Sequence, residues 1–164
     1  MKKLMWIFVM LLVLTACGTE EVFETVSDDM AIQVSAEPLE IFVDIPADSV
    51  MPAMESDFGR VYICEDFDVA VQTLEAGDLN ATVMAVSGFD REDLTIIETK
   101  TEAGKKYEFV WTAAGELGHQ VGRATILDDG NYHYVISAII DAEKLEAYQE
   151  VWNGMFESFH IASY

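Results

Sequence analysis

Between Thr95 and Ile140 the chain passes through four runs of strand-forming residues, TIIETKT, YEFVWTA, HQVGRATIL and YHYVISAII, separated by EAGKK, AGELG and DDGN. Connections this short force consecutive strands to pair antiparallel, because a parallel return needs a crossover of a dozen residues or more. The result is a meander of three hairpins. The strongest turn signal is Asp129-Gly130, since glycine enters positive φ cheaply. With Asp129-Gly130 as the loop, Leu127 faces Tyr132, Ile126 faces His133 and His119 faces Ile140. With AGEL as the previous loop, Phe109 faces Gly122 and Tyr107 faces Ala124.

The flanking segments extend the sheet and cover it. MAIQVS and LEIFVDIP read as strands, broken by Pro38 and ended by Pro46, and SVMPAMESDFG reads as a loop. RVYIC and FDVAVQTLE are two more strands, joined tightly through Glu65 and Asp66. The period then changes. DLNATVMAVSG places Leu79, Thr82, Val83 and Val86 on one face, with Asp78 as N-cap and Gly88 as stop, and predicts a short helix. DREDL adds one turn capped by Asp90. DAEKLEAYQEVWNGMFESF, capped by Asp141, aligns Leu145, Tyr148, Trp152, Met155 and Phe159 in an amphipathic stripe, which breaks near Gly154 or Ser158, and FHIA closes as an edge strand. The expected class is α+β: a largely antiparallel sheet with a short central helix and a C-terminal amphipathic helix packed on it.

Tyr107, Phe109 and Trp111 alternate along one strand and so share a face, with small residues opposite them on the next strand. Such a stripe serves either as core or as a concave ligand surface. Core beneath the C-terminal helix and Trp152 is the favoured reading, because aromatics dominate single-domain cores. Tyr132 and Tyr134 fall on the opposite face.

The N-terminus carries a different message. Lys2 and Lys3 precede eleven apolar residues, Leu4 to Leu14, then Thr15, Ala16 and Cys17. That order is the pattern of an export signal, and the run is too short for a span of about 20 residues. LTAC resembles the lipobox of bacterial lipoproteins. The resemblance implies diacylglyceryl attachment to the Cys17 thiol, cleavage after residue 16 and a membrane anchor at the extracytoplasmic face. Two acyl chains anchor stably where one does not. Residues 17–29 then form an acidic tether and residues 30–164 a single domain.

The formal charge is −21, and loss of Lys2 and Lys3 takes it to −23. No Lys or Arg stands between Lys3 and Arg60, while eleven Asp or Glu do. Such a chain repels phosphate backbones, which excludes nucleic acid as a partner. Only Cys17 and Cys64 are present, so with Cys17 acylated Cys64 has no intramolecular partner. It sits among strand formers without a neighbouring cation, as a buried inert thiol does.

No reactive constellation is legible. His119, His133 and His160 are too far apart on the expected ladder to share a metal, DDGN lacks the alternating oxygen ligands of a calcium loop, and GxSxG is absent. No cofactor is expected. VSGFDREDLTIIET, ILDDGNYHYV and MFESFHI, in this order, resemble the PsbP-like fold from about Leu39 to Ile161. That family includes a luminal photosystem subunit, a nuclear transport factor and bacterial lipoproteins, and the resemblance implies a fold and a non-catalytic habit while handing over no catalytic residues. The expectation is a non-enzymatic, lipid-anchored module that binds another envelope component; the alternative is a carrier of a small apolar ligand, or a hydrolase, using a cavity between helix and sheet.

Overall fold

The computed structural model describes residues 37–47, 51–102, 104–115 and 118–162. The expected strand MAIQVS, the acidic tether and Cys17 lie outside them. The elements in order are β1 (Ile41–Phe42), β2 (Met54–Ser56), β3 (Gly59–Ile63), β4 (Phe67–Glu75), α1 (Leu79–Ser87), a 3₁₀ turn (Arg91–Asp93), β5 (Ile97–Thr101), β6 (Gly104–Gly115), β7 (Gly118–Asp128), β8 (Tyr132–Asp141), α2 (Leu145–Ser158) and β9 (His160–Ile161). Seven strands form one antiparallel sheet in the order β2-β3-β4-β8-β7-β6-β5, and β1 pairs with β9 in a small second sheet. The fold class is α+β, as the patterning predicted.

The meander begins at the far edge and returns, so that β8 closes the sheet against β4. α1 makes the connection from β4 to that far edge. It starts at Asp78, whose carboxylate accepts the Asn80 N–H at 3.0 Å. It ends at Gly88 (φ 78°), whose N–H donates to the Met84 carbonyl at 2.8 Å. The segment read as a loop before Gly59 contains β2, which pairs Met54 with Val61. Asp141 does not cap α2. It ends β8 on the α1 side of the sheet, while the helix starts on the other side after a turn closed by the Lys144 N–H on the Asp141 carbonyl.

Both hairpin registers differ from expectation by two residues. Leu127 faces Tyr134, Phe109 faces Ala124 and Trp111 faces Gly122. Val121, not His119, faces Ile140. The cause at the DDGN turn is its carboxylates. Asp128 Oδ1 accepts the Gly130 N–H at 2.9 Å, and Asp129 Oδ1 accepts the Asn131 and Tyr132 N–H groups at 2.8 and 2.7 Å. These bonds centre the loop on Gly130-Asn131, with Gly130 at φ 93°. A shift of two preserves faces, whereas a shift of one would invert them. Tyr134 therefore does lie opposite to the Tyr107 face.

Two cores result. On one face Val83 of α1 packs with Tyr107, Phe109, Trp111, Ala124, Ile126 and Val135. On the other, Trp152, Met155 and Phe156 of α2 pack with Tyr62, Phe67, Val69, Tyr134, Ile136 and Ile140, joined by Leu39, Ile41, Val43 and Ile45 of the incoming chain. The aromatic stripe is core, with Trp111 only 7 % exposed. It lies under α1, not under Trp152. Cys64 is a buried thiol in the α2-side core.

Candidate functional site

Ladder partners across an antiparallel sheet share a face, so the register fixes what each helix leaves open. On the α1 face one rung runs Val61, Ala70, Ser137, Ala124, Phe109, and the next runs Ile63, Asp68, Ile139, Gly122, Trp111. α1 buries the Ala124, Phe109 and Trp111 end of these rungs. Among the described residues no element packs on the other end. Met54 is 66 % exposed and Ile63 63 %, and Val61, Ala70 and Ile139 are half-buried between them. Strands β2, β3, β4 and β8 thus present a row of aliphatic side chains to solvent on the α1 side. An apolar patch of this kind marks an interaction surface more often than an accident of packing.

The lower end of the patch is acidic. Ile63, Ile139, Glu65, Asp66, Asp68, Asp141 and Lys144 line one hollow of about 310 Å³. The single ammonium there, Lys144 Nζ, is engaged by Asp66, whose other oxygen accepts the Tyr148 hydroxyl at 2.6 Å. Those two bonds hold the Asp66 carboxyl below its ordinary range, and the bond to Asp66, helped by the charges of Asp66, Asp141 and Glu65, raises the Lys144 ammonium.

On the opposite face the imbalance is reversed. Here α2 leaves the β5–β6 flank open, and Ile97 and Val110 are exposed. Val110, Val121, Leu145 and Trp152 form the apolar lining of a cleft of about 470 Å³. Its polar side chains include Arg123, which donates to Asn153 Oδ1 at 3.1 Å and stacks 4.3 Å above the Phe156 ring.

Of the histidines, His119 lies in β7 nine residues from Asp128, the rung of His133, so the structure separates them. His160 stacks on Phe42 at the end of α2. His133 enters an arrangement that spacing did not reveal. Its Nδ1 lies 2.8 Å from Thr82 Oγ1 of α1, and its Nε2 lies 3.8 Å from Asp128 Oδ2. Hydroxyl, imidazole and carboxylate stand in the order that activates a nucleophile. Thr82 and His133 are both buried, however, at 6 % and 2 % exposure. The chain braces α1 against the DDGN hairpin. The neighbouring Tyr134 hydroxyl donates to Asp129 Oδ2 and accepts the Leu39 N–H, each at 2.9 Å, which ties the incoming chain to the same hairpin.

Among the described residues no cluster of His, Cys, Asp and Glu is placed to hold a metal ion. No helix among them is long and apolar enough to cross a membrane.

No family model matches the sequence, and no curated protein sequence does. Solved structures do resemble the fold. The solution structure of cyanobacterial PsbP from Synechocystis aligns with a TM-score of 0.51 at 12% identity, covering 79% of this chain and 96% of that one. The chain has the PsbP-like fold. A Bacteroides thetaiotaomicron protein aligns at 0.50 and 9% identity over 75% of this chain and 45% of its own length. The Saccharomyces cerevisiae Ran-binding protein Mog1p aligns at 0.49 and 16% identity, over 74% and 89%. At such identities the likeness concerns the backbone alone.

Proposed function

We propose that this chain is a lipoprotein, anchored by acyl chains on Cys17 at the extracytoplasmic face of a membrane, and that its folded domain acts by binding an envelope component without turning over a substrate. The carrying observation is the open aliphatic half of the α1 face beside a closed aromatic core: the stripe that offered a ligand surface is filled, and the surface left over is an interface. The anchor reading rests on the residues before and at Cys17. The acidic surface keeps the domain off nucleic acid and anionic lipid.

The anchor is tested by labelling cells with an alkynyl fatty acid. The wild-type chain should take the label, whereas Cys17→Ala should lose it and accumulate as precursor. A fully processed Cys17→Ala protein that stays on the membrane would refute lipidation. The non-catalytic reading is tested by a screen against ester, peptide and glycoside substrates; robust turnover lost with one Ser, His, Asp or Glu, in a variant that still folds, would make the protein a hydrolase.

A second reading has its own observation. The cleft between α2 and β6–β7, at about 470 Å³, has the size of small-ligand sites and combines an aliphatic lining with the polar groups of Arg123, Gln149 and Asn153. A stoichiometric small apolar molecule released on denaturing the purified protein, and lost with Val110→Asp, would make the chain a carrier.

A further inference from the structure

We infer that the open half of the α1 face receives a segment of a partner protein in which apolar side chains are followed by a lysine or arginine, the apolar groups lying on Met54, Val61, Ile63, Ala70 and Ile139 and the cation entering the hollow at Glu65, Asp68 and Asp141. The inference rests on the binding reading above and names the surface and the partner's chemistry.

The geometry carries both halves of it. The aliphatic residues come from four adjacent strands and lie on two successive rungs of one face, which gives an elongated strip rather than scattered side chains. A strip of that form fits one face of an extended or helical segment. At its end the ladder places Asp68 beside Ile139, and Asp141 lies on the same face two residues further along β8. Four carboxylates, Glu65, Asp66, Asp68 and Asp141, line the hollow with one ammonium, Lys144, which Asp66 binds and which Glu65 and Asp141 also attract, so the local field stays negative. Charge complementarity selects against the two other occupants. An anionic lipid surface meets like charge there. A second copy packed about a two-fold axis brings one acidic patch toward its equivalent, in a chain of formal charge −21.

The test uses the full chain expressed in its own cells, with a photo-crosslinking phenylalanine analogue at position 63 and, as a comparison, at position 151 on the outer side of α2. Mass spectrometry maps the captured segment. The expected result is a protein adduct from position 63, absent from position 151, at a segment with two or more apolar residues and a Lys or Arg within four positions. Asp68→Lys combined with Asp141→Lys should lower its yield at least about tenfold, because like charge at an interface costs several kcal/mol, while circular dichroism and melting temperature confirm the fold. A lipid adduct would assign the face to the membrane, and a self-adduct would assign it to a second copy; either overturns the proposal. An adduct whose yield the double charge reversal leaves unchanged, or whose segment carries no cation, overturns it as well. Silence at 63 with capture from position 110 or 58 overturns this surface and leaves the binding reading standing. Silence at every position overturns both.

Discussion

Tyr134 shows how much one side chain decides at the residue scale. It is fully buried, yet its hydroxyl bridges the hairpin carboxylate of Asp129 and the backbone of Leu39, 95 residues away. Burial, opposed by the bond from Leu39 and reinforced by Asp129, pushes the phenol up to about 12. A raised folded value means that this contribution to stability is complete below the ordinary phenol range, near pH 10, and is lost as pH rises through about 12. Tyr134→Phe should therefore destabilise the domain by about 1–3 kcal/mol at neutral pH, since two half-buried partners, one of them a carboxylate, lose their bond. It should also flatten the decline of melting temperature between about pH 10 and 12. Calorimetry across that range tests both, and an unchanged slope would show that the alkaline transition belongs to other groups. Gly130 adds a backbone counterpart. A side chain there meets no atom, but φ is 93°, so Gly130→Val should cost about 1–3 kcal/mol through strain alone, read as a fall in melting temperature.

At the element scale the strands of the meander, the two-residue turn at Glu65-Asp66, and the caps Asp78 and Gly88 were legible, because each depends on a local pattern of period or turn chemistry. The registers were not. Gly130 announced a turn, but the paired Asx bonds of Asp128 and Asp129 decided its centre. β2 was hidden for a related reason: three exposed residues after a proline-bearing segment carry no hydrophobic alternation. The aromatic stripe reads from sequence as a single face and as core, which it is, but under the wrong helix. Its partner depends on α1 crossing from β4 to the far edge, a long-range fact absent from any window. The corrected register puts Trp111 across Gly122, where an added Cβ would stand 2.1 Å from the indole ring. That ring is buried and leans on Phe109 at 5.7 Å, so it has little room to yield. Gly122→Ala should cost about 1–3 kcal/mol by overpacking and blue-shift or quench the Trp111 fluorescence component. A neutral Gly122→Ala would mean that β7 can move relative to β6.

For the molecule as a whole, the decisive feature is that seven strands are wider than either helix. α1 covers the β6–β7–β8 side of one face, and α2 with Leu39–Ile45 covers the β3–β4–β8 side of the other, so each face keeps one open flank, diagonally opposed. No sequence window contains that diagonal, because it arises only when β8 inserts beside β4. It also explains how one domain supplies an aliphatic strip and a separate polar-rimmed cleft. On the proposed anchor, the acidic residues after Cys17 set the distance over which those flanks are presented. Tethering raises the effective concentration of a membrane neighbour, so that even a weak contact is occupied. Deleting residues 19–28 should therefore weaken capture from position 63 several-fold while leaving the melting temperature unchanged, because the described fold begins after them. Restoring the length with a glycine–serine segment should recover capture if reach is the operative property. Recovery only with acidic residues would instead show that the charge of the segment, and not its span, holds the domain in place.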